Sequence, residues 1–472
     1  MSNSLHDNLI KYVPSEIAWR YRTIPHKFDA GILTLLIDNI SYKQEFQGEL
    51  ELILGHEVCL LKEEPEIISQ QLSKLYRKDN TSNIIIRNDE SADDFLIKVI
   101  SEAKDLGSSD IHVESYSEKC RIRLRVDGKL LERYHISKEI YPSFINKIKI
   151  KARLDIAEKR LPQDGRMLLH IGNGKIDIRV SVLPSLYGEK VVLRLLSNDS
   201  THIQLDNLGF NGKQLDDYKK VLKRPHGIIL ISGPTGSGKT TTLYATLKLL
   251  NSEHSNILTI EDPIEYTLDG INQVQLKENI GLTFASALKT FLRQDPDIIM
   301  LGEIRDGETA QMAIRAALTG HLVLSTIHTN SAWGTISRLV DMGVPTFLLA
   351  NTLNATIAQR LVRKLCAKCK TPGAISDSDL YHEVNDTIGS DTIHYHPVGC
   401  EYCYYTGYHG RVALYEVIPV DGETSRAIKD NRQDITAMLA ERKISTLRDQ
   451  AIDILLSGIT SLEEVYPILL NH

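Results

Sequence analysis

The clearest chemical signature in this chain is a glycine-rich octapeptide, residues 233–240, with the sequence GPTGSGKT. It matches the pattern G-x-x-x-x-G-K-[ST], in which glycines let the backbone wrap closely around a polyphosphate. Backbone N–H groups and the N-terminus of the following helix then face the anion. We predict that phosphate groups bind to this phosphate loop through Gly233, Pro234, Thr235, Gly236, Ser237, Gly238, Lys239, Thr240 and Thr241.

The residues on either side of the phosphate loop support this prediction. An apolar run, residues 227–232, precedes it and is typical of a buried strand, whereas residues 241–250 lack glycine and proline and are typical of a helix. In that setting Lys239 is expected to reach the β- and γ-phosphates, and the Thr240 hydroxyl is expected to bind Mg²⁺. A glycine-rich turn that matches by chance is the alternative, and it would not explain the strand and the helix.

Three further clusters of acidic residues or histidine follow short apolar runs. The first contains Glu261 and Glu265, the second contains Glu303 and the third contains His328. The carboxyl ends of parallel strands meet at one edge of a sheet, where open α/β sheets bind their ligands. An acid after an apolar strand is typical of the second nucleotide-binding motif, which holds Mg²⁺ directly or through water. A single histidine is more often structural, but four clusters at one edge favour a role for His328 beside the γ-phosphate.

These clusters need a parallel sheet to bring them together, and the pattern from residue 221 to residue 365 predicts one. Apolar strand-like and helical segments alternate there, as a parallel α/β sheet requires. We predict strands at residues 228–232, 257–261, 297–302 and 321–327, and helices at residues 239–251, 284–294, 307–319 and 345–362.

Four of the six cysteines form two pairs with two-residue gaps, Cys366 with Cys369 and Cys400 with Cys403. Four thiolates at such spacing suit tetrahedral Zn²⁺ and give a closed, structural site. A catalytic redox C-x-x-C motif is the alternative. We interpret the four cysteines as a structural zinc site.

The composition describes a soluble globular protein of several domains. The chain has 472 residues, 42% of them hydrophobic and 25% charged, and a net charge of −6. This charge gives no general attraction to nucleic acid, so no direct nucleic-acid partner is expected. The first residues lack the basic and apolar segments of a signal peptide, and no apolar run approaches the length of a membrane span.

Two smaller domains are expected before the phosphate loop. Residues 1–78 resemble a small α/β module with strands near 32–37 and 50–54, followed by a polar linker near 78–83. In the next domain a strand interrupted by Asp-Gly predicts a hairpin and places three arginines, Arg121, Arg123 and Arg125, on one face. That face is either solvated or turned towards a phosphate or an acidic neighbour. Residues 411–472 show helical patterns.

Taken in order, these clusters resemble the ATPases of type II secretion and type IV pilus systems. The resemblance runs from about Ala92 to Leu469. It is carried by the segments IEDPIEY at 260–266, LRQDPD at 292–297, GEIRDGETA at 302–310 and LTGH at 318–321. The first 78 residues match the family's N-terminal docking domain more loosely. No N-K-x-D motif for guanine is found, which favours ATP over GTP.

The resemblance implies a homohexameric motor in which the second domain packs against the nucleotide. It implies that Glu303 holds Mg²⁺ together with Thr240, that Glu265 activates water with Glu261 close by, and that four arginines contact phosphates or lie at interfaces: Arg166, Arg179, Arg293 and Arg305. It also implies a cytoplasmic location at the inner membrane, with platform and cytoplasmic-domain proteins of a secretion or pilus machine as partners. Lys289 and Ser331 depart from the family, where arginine and aspartate are common.

The expected fold class is therefore multidomain α/β, with a RecA-like ATPase domain containing a parallel sheet. The expected domains are an N-terminal docking domain at 1–78, a PAS-like α+β domain at 84–200, the ATPase domain at 214–365, a zinc module at 366–410 and a helical segment at 411–472. A nucleic-acid translocase on the same core and a non-catalytic, nucleotide-gated scaffold are the alternative functions.

Overall fold

Four sheets and the helices around them make up the computed structural model, which describes residues 9–29, 31–76, 92–171, 174–196, 204–375, 389 and 392–470. The linker predicted near residues 78–83 lies outside the described residues. None of the helices in the described ranges is both long enough and apolar enough to span a membrane.

The strands and helices alternate along the chain in three main blocks. The strands are β1 Thr23–Asp29, β2 Ile32–Asp38, β3 Glu57–Glu63, β4 Asp110–Ser115, β5 Cys120–Val126, β6 Lys129–Ile136, β7 Gln163–Ile171, β8 Gly174–Ser185, β9 Gly188–Leu196, β10 Gly227–Ser232, β11 Ile257–Glu261, β12 Asn272–Gln275, β13 Ile298–Leu301, β14 Leu322–Ile327, β15 Leu353–Leu365, β16 Thr371–Ala374, β17 Ile393–His396 and β18 Tyr408–Pro419. The α-helices are α1 Ser15–Tyr21, α2 Phe46–Leu54, α3 Pro65–Leu75, α4 Ala92–Asp105, α5 Tyr141–Lys151, α6 Gly212–Leu222, α7 Lys239–Leu250, α8 Phe284–Phe291, α9 Gly307–Leu318, α10 Gly334–Asp341, α11 Thr346–Thr352, α12 Gly422–Lys429, α13 Thr436–Glu441, α14 Leu447–Leu456 and α15 Leu462–Leu469.

The phosphate loop belongs to a seven-stranded sheet of order β12-β11-β13-β14-β10-β15-β18. The first six strands run parallel, and β18 pairs antiparallel with β15. Apolar side chains pack against both faces, with α8, α9, α10, α14 and α15 contributing to one core and α6 and α7 to the other. Strands covered on both faces are continuous apolar runs, as observed here. The predicted α/β class with a parallel sheet is confirmed.

The helix predicted over residues 345–362 is wrong beyond Thr352, where α11 ends. The strand β15 begins at the next residue and lies between β10 and β18. Ala355, Ile357 and Ala358 in this strand are fully buried. A strand covered on both faces loses its period-two alternation, so periodicity does not distinguish it from a buried helix.

The helical prediction for residues 411–472 is wrong at its start. Residues 408–419 form β18, and the helices α12 to α15 account for most of the chain after this strand. The seven-stranded sheet therefore takes strands from both sides of the cysteine-containing segment. Because β15 and β18 are antiparallel neighbours, this segment is the long connection between two adjacent strands.

The block before the phosphate loop contains a six-stranded antiparallel sheet of order β6-β5-β4-β9-β8-β7. The helices α4 and α5 cover its apolar face. The N-terminal block has a three-stranded sheet, β1-β2-β3, covered by α1 to α3. The strand predicted at residues 50–54 is wrong, because these residues form the end of α2, which is followed by Gly55 with a left-handed φ of 70°.

Candidate functional site

The phosphate loop follows β10 directly and leads into α7. Gly236 and Gly238 have φ angles of 81° and 87°, a left-handed backbone conformation that glycine adopts without strain. Gly238 is also closely packed, because a Cβ atom there would lie 2.8 Å from Nε2 of Gln359. The loop thus needs glycine for its backbone shape and, at Gly238, for the approach of the neighbouring strand.

Lys239 is the first residue of α7, and its ammonium group lies inside the phosphate loop. Its Nζ donates to the carbonyl oxygens of Gly233 at 2.7 Å and Pro234 at 3.0 Å. Burial lowers the pKa of Lys239, and the carboxylate of Glu303 acts in the opposite direction. The predicted phosphate-binding lysine and the predicted Mg²⁺ ligand are therefore close enough to affect each other.

The remaining loop residues fit a bound nucleotide. Thr240 and Thr241 are exposed in the first turn of α7. The Ser237 hydroxyl is buried and has no hydrogen-bond partner among the described residues. Exposed N–H groups at a helix N-terminus together with a buried lysine form an anion-binding site.

Glu303 lies after β13 and forms the centre of a charged cluster. Its carboxylate pairs with the Arg305 guanidinium, and its Oε2 lies 3.3 Å from Nε2 of His328. Two hydrogen bonds join the ends of β13 and β14: Thr326 Oγ1 donates to the Gly302 oxygen at 2.7 Å, and the Ile304 nitrogen donates to the Thr326 oxygen at 2.9 Å. The sheet itself therefore brings the acid and the histidine together.

Glu261 and Glu265 occupy different environments. Glu261 is buried, and its carboxylate accepts hydrogen bonds from the Tyr244 hydroxyl, from Thr259 Oγ1 at 2.7 Å and from Gln273 Nε2 at 3.0 Å. Glu265 is half-buried, and its backbone N–H donates to the Tyr244 hydroxyl at 3.3 Å. Glu261 thus supports the loop that carries Glu265, and the role of Glu265 as the acid that acts on water stays a prediction.

Two of the four predicted arginines reach this edge of the sheet. Arg305 pairs with Glu303 and lies 3.5 Å from Oδ2 of Asp262, and its carboxylate partner raises the pKa of the guanidinium. Arg179 comes from β8 of the six-stranded sheet, and it donates to the Ile264 carbonyl oxygen. This contact joins the second block of the chain to the loop between Glu261 and Glu265.

The other two arginines are not brought to the chain's own phosphate loop. Arg166 is exposed and pairs with Asp177 on the adjacent strand, with Nε 2.6 Å from Oδ1. Arg293 is exposed just after α8, where it donates to the Lys289 oxygen at 3.0 Å. The chain then enters the amino end of β13, which is the sheet edge opposite to the phosphate loop. An interface role for these two residues stays a prediction.

The arginines on β5 face acidic neighbours in their own sheet. Arg123 donates through Nε to Oε2 of Glu114 at 2.8 Å, and Arg121 donates to Oε2 of Glu132 at 2.7 Å. Burial alone would raise the pKa of Glu114, but pairing with Arg123 and Lys190 lowers the pKa to about 2. Of the possibilities for this face, the acidic neighbour is the one observed.

The contact of Arg179 predicts a specific loss of activity. Replacing it with alanine removes a charge-assisted hydrogen bond to the loop that carries Glu265, so we expect the kcat of the ATP hydrolysis predicted from the sequence to fall about tenfold. Arg194→Ala is the matched control. Arg194 is the cross-strand neighbour of Arg179 but pairs with Asp110 inside its own sheet at 3.0 Å. Equal losses in the two variants would contradict a role for this contact.

Residues on β15 contribute to the site and were missed in the sequence. Gln359 Oε1 accepts from Thr242 Oγ1 at 2.9 Å beneath the phosphate loop. Arg360 donates through Nη2 to the Asn330 oxygen at 2.7 Å, in the loop that follows His328. Both lie within the segment that the sequence pattern predicts as a helix. A strand prediction parallel to β10 would have placed them at the same edge as the phosphate loop.

The four paired cysteines form a single cluster, with all four sulfur atoms within 4.8 Å of one another. The Sγ–Sγ distances are 3.8 Å for Cys366–Cys400, 3.7 Å for Cys369–Cys403 and 3.8 Å for Cys400–Cys403. Tetrahedral zinc with Zn–S bonds of about 2.3 Å places its sulfur atoms roughly 3.8 Å apart. The thiol set therefore fits a Zn²⁺ ion.

A parallel sheet whose carboxyl edge carries a phosphate loop, a histidine on the neighbouring strand and an acid on the next strand defines a P-loop ATPase. The family model described as "Type II/IV secretion system protein" matches residues 87–467. The chain belongs to this family and is a motor ATPase of the secretion and pilus assembly class.

Named relatives and solved structures agree with this assignment. The chain is 50% identical to type II secretion system protein E of Dickeya dadantii, over 78% of this chain and 73% of the relative. It is 40% identical to the type IV pilus assembly ATPase PilB of Myxococcus xanthus, over 97% of this chain and 86% of the relative. The pilus retraction motor PilT with bound ADP has a TM-score of 0.55 at 28% identity, covering 79% of this chain and 96% of PilT. The Legionella pneumophila ATPase DotB shares the fold, with a TM-score of 0.61 at 21% identity. The match covers 83% of this chain and 99% of DotB.

Proposed function

We propose that this chain hydrolyses ATP as a homohexamer and drives the assembly of pilin-like subunits, either into a type II secretion pseudopilus or into an extending type IV pilus. The observation that carries the proposal is the cluster at the carboxyl edge of the seven-stranded sheet. There Glu303 contacts Arg305 and His328 and affects the pKa of Lys239 in the phosphate loop.

We assign the residues of this cluster separate tasks. Lys239 and the loop N–H groups hold the phosphates, and Thr240 and Glu303 would hold Mg²⁺, which would neutralise charge on the phosphate oxygens. Glu265 orients the water that adds to the γ-phosphorus while the bond to the bridging oxygen breaks and ADP leaves. We assign Arg305 and His328, which both contact Glu303, to stabilising the negative charge on the transferred group.

The six-stranded sheet supplies a way to couple nucleotide to movement. Arg179 connects it to the Ile264 oxygen, and Asp127 at the β5–β6 turn accepts from the Gly410 nitrogen at 2.8 Å near the start of β18. A change in the loop around Glu265 would therefore be passed to the second block of the chain. In the hexamer, Arg166 and Arg293 are available for contacts with neighbouring copies.

Two features favour an extension or secretion motor over a retraction motor. The described N-terminal residues form a separate α/β block, and the four cysteines form a cluster suited to zinc. The relatives named for type II secretion and for pilus assembly cover most of this chain at 40–50% identity. We propose that the motor works in the cytoplasm at the inner membrane, through a platform protein and a cytoplasmic-domain protein of its machine.

Turnover and assembly state test the proposal together. Purified protein should release phosphate from ATP, and light scattering with nucleotide should show a mass six times that of the 53.1 kDa chain. Lys239→Ala should lose turnover because the phosphates lose their cation. Hexamers that bind ATP without any turnover would indicate a scaffold. Turnover that requires DNA would indicate a nucleic-acid translocase.

A further inference from the structure

The loop after β14, residues 328–332, carries His328 and is named the histidine loop. The histidine loop is held in place by β10, which leads into the phosphate loop, and by the two strands beyond β10 in the sheet. Three hydrogen bonds reach it from β10, β15 and β18: Ser232 Oγ to the Ser331 oxygen at 3.3 Å, Arg360 Nη2 to the Asn330 oxygen at 2.7 Å, and the Ala332 nitrogen to Glu416 Oε1 at 2.9 Å. The position of the imidazole beside Glu303 therefore depends on residues outside the predicted site.

Glu416 is the most unusual of these three anchors, because it is a carboxylate in the core. Its residue surface is only 3% exposed. Its second oxygen, Oε2, accepts from the Leu447 nitrogen at 3.3 Å, at the first turn of α14. Burial raises the pKa of Glu416 above its ordinary value, and the two N–H groups act in the opposite direction by stabilising the charged form.

The two partners of Glu416 belong to different parts of the protein. Ala332 ends the histidine loop two residues before α10 begins, whereas Leu447 begins α14 in the C-terminal helices. The Leu447 N–H is one of the unsatisfied donors at a helix N-terminus, where the helix carries a partial positive charge, whereas the Ala332 N–H belongs to the loop that precedes α10. One carboxylate therefore fixes the distance between the histidine loop and the C-terminal helices.

We propose that Glu416 is a positioning residue for ATP hydrolysis: it fixes the histidine loop against α14, and the placement of His328 beside Glu303 depends on it. This inference rests on the proposed function, in which His328 assists hydrolysis. Through these two hydrogen bonds Glu416 also connects the C-terminal helices directly to the sheet edge that carries the phosphate loop.

The substitution Glu416→Gln tests this connection with little change in shape. A glutamine can accept only one of the two N–H groups, because its NH₂ group is a donor. We expect kcat to fall about tenfold, whereas the Kd for a fluorescent ATP analogue changes by less than about twofold. Adding His328→Ala to Glu416→Gln should lower kcat no further than His328→Ala alone, because both act through one group.

Glu464→Gln is the matched control for a general loss of stability. Glu464 on α15 is also largely buried, and it accepts from the Arg363 nitrogen at 2.9 Å and from the Arg363 guanidinium at 2.7 Å. We expect a lower melting temperature but an unchanged kcat. An equal fall in kcat in this variant, or independent losses in the double variant, would overturn the proposal.

The same measurements separate this inference from the proposed function. A wild-type protein without turnover would contradict the proposed function itself. Full turnover in His328→Ala would leave the ATPase assignment intact and overturn only the positioning role of Glu416.

Discussion

Replacing Glu303 with glutamine is expected to lower the rate of ATP hydrolysis roughly a hundredfold or more while ATP still binds. Glutamine keeps the size of the side chain but removes the negative charge that pairs with Arg305 and faces His328. In the proposed site it also weakens the hold on Mg²⁺, whereas Lys239 and the loop N–H groups still bind the phosphates. Phosphate release in a single turnover and equilibrium binding of ATP measure the two effects separately.

Glu308→Gln is the control for a change of charge near the same strand end. Glu308 lies in the first turn of α9, and its exposed carboxylate pairs with Lys289 at 2.9 Å. Exposed ion pairs contribute between about 0 and 1 kcal/mol, so turnover should stay within about twofold of wild type. A Glu303→Gln protein that hydrolyses ATP at the wild-type rate would refute the assignment of Glu303.

Removing the proposed zinc ion is expected to unfold the segment between β15 and β18. Zinc contributes on the order of 10 kcal/mol to the folding of small zinc modules. Here the cluster closes the long connection between two paired strands, and the Cys366 nitrogen donates to the Gly407 oxygen at 2.9 Å at its base. We expect Cys400→Ser with Cys403→Ser to abolish zinc binding and to lower the melting temperature, measured by elemental analysis and calorimetry.

Cys59→Ser provides the control, because Cys59 is exposed in the N-terminal block and far along the chain from the cluster. This variant should retain one zinc ion per chain and the wild-type melting temperature. If the cysteines are instead a redox motif, the purified protein should contain no zinc. It should form a disulfide that is made and broken as the thiol–disulfide redox potential of the buffer changes. Finding that disulfide in the purified protein would contradict the structural zinc site.

The chemistry of the nucleotide edge was predictable because short segments encode it. The phosphate loop and its flanking strand and helix are contiguous, so glycine spacing and local hydrophobicity suffice to place Lys239 and Thr240. Glu303 and His328 each end an apolar strand, and parallel pairing brings such strand ends together. The roles assigned to these residues remain predictions until turnover is measured.

Local pattern was insufficient where burial removed the expected periodicity. The pattern of β15 and its neighbour β18 predicts helix, because a strand covered on both sides has no polar face. For the same reason the sequence did not predict the contribution of Gln359 and Arg360, which lie beneath and beside the phosphate loop. At residues 50–54 the short, mostly apolar run predicts a strand, but these residues lie in α2, whose Leu50 is buried in the core of the N-terminal block.

The sequence by itself determined the family, the phosphate loop, the strand-end acids and histidine, and the paired cysteines, since each depends on residue types at short, fixed spacing. Only the tertiary structure decided which distant groups act on them. The Arg179–Ile264 contact joins residues 85 positions apart, and the Ala332–Glu416 bond joins residues 84 positions apart. Such contacts depend on how sheets and helices pack, and that packing leaves no local pattern in the chain.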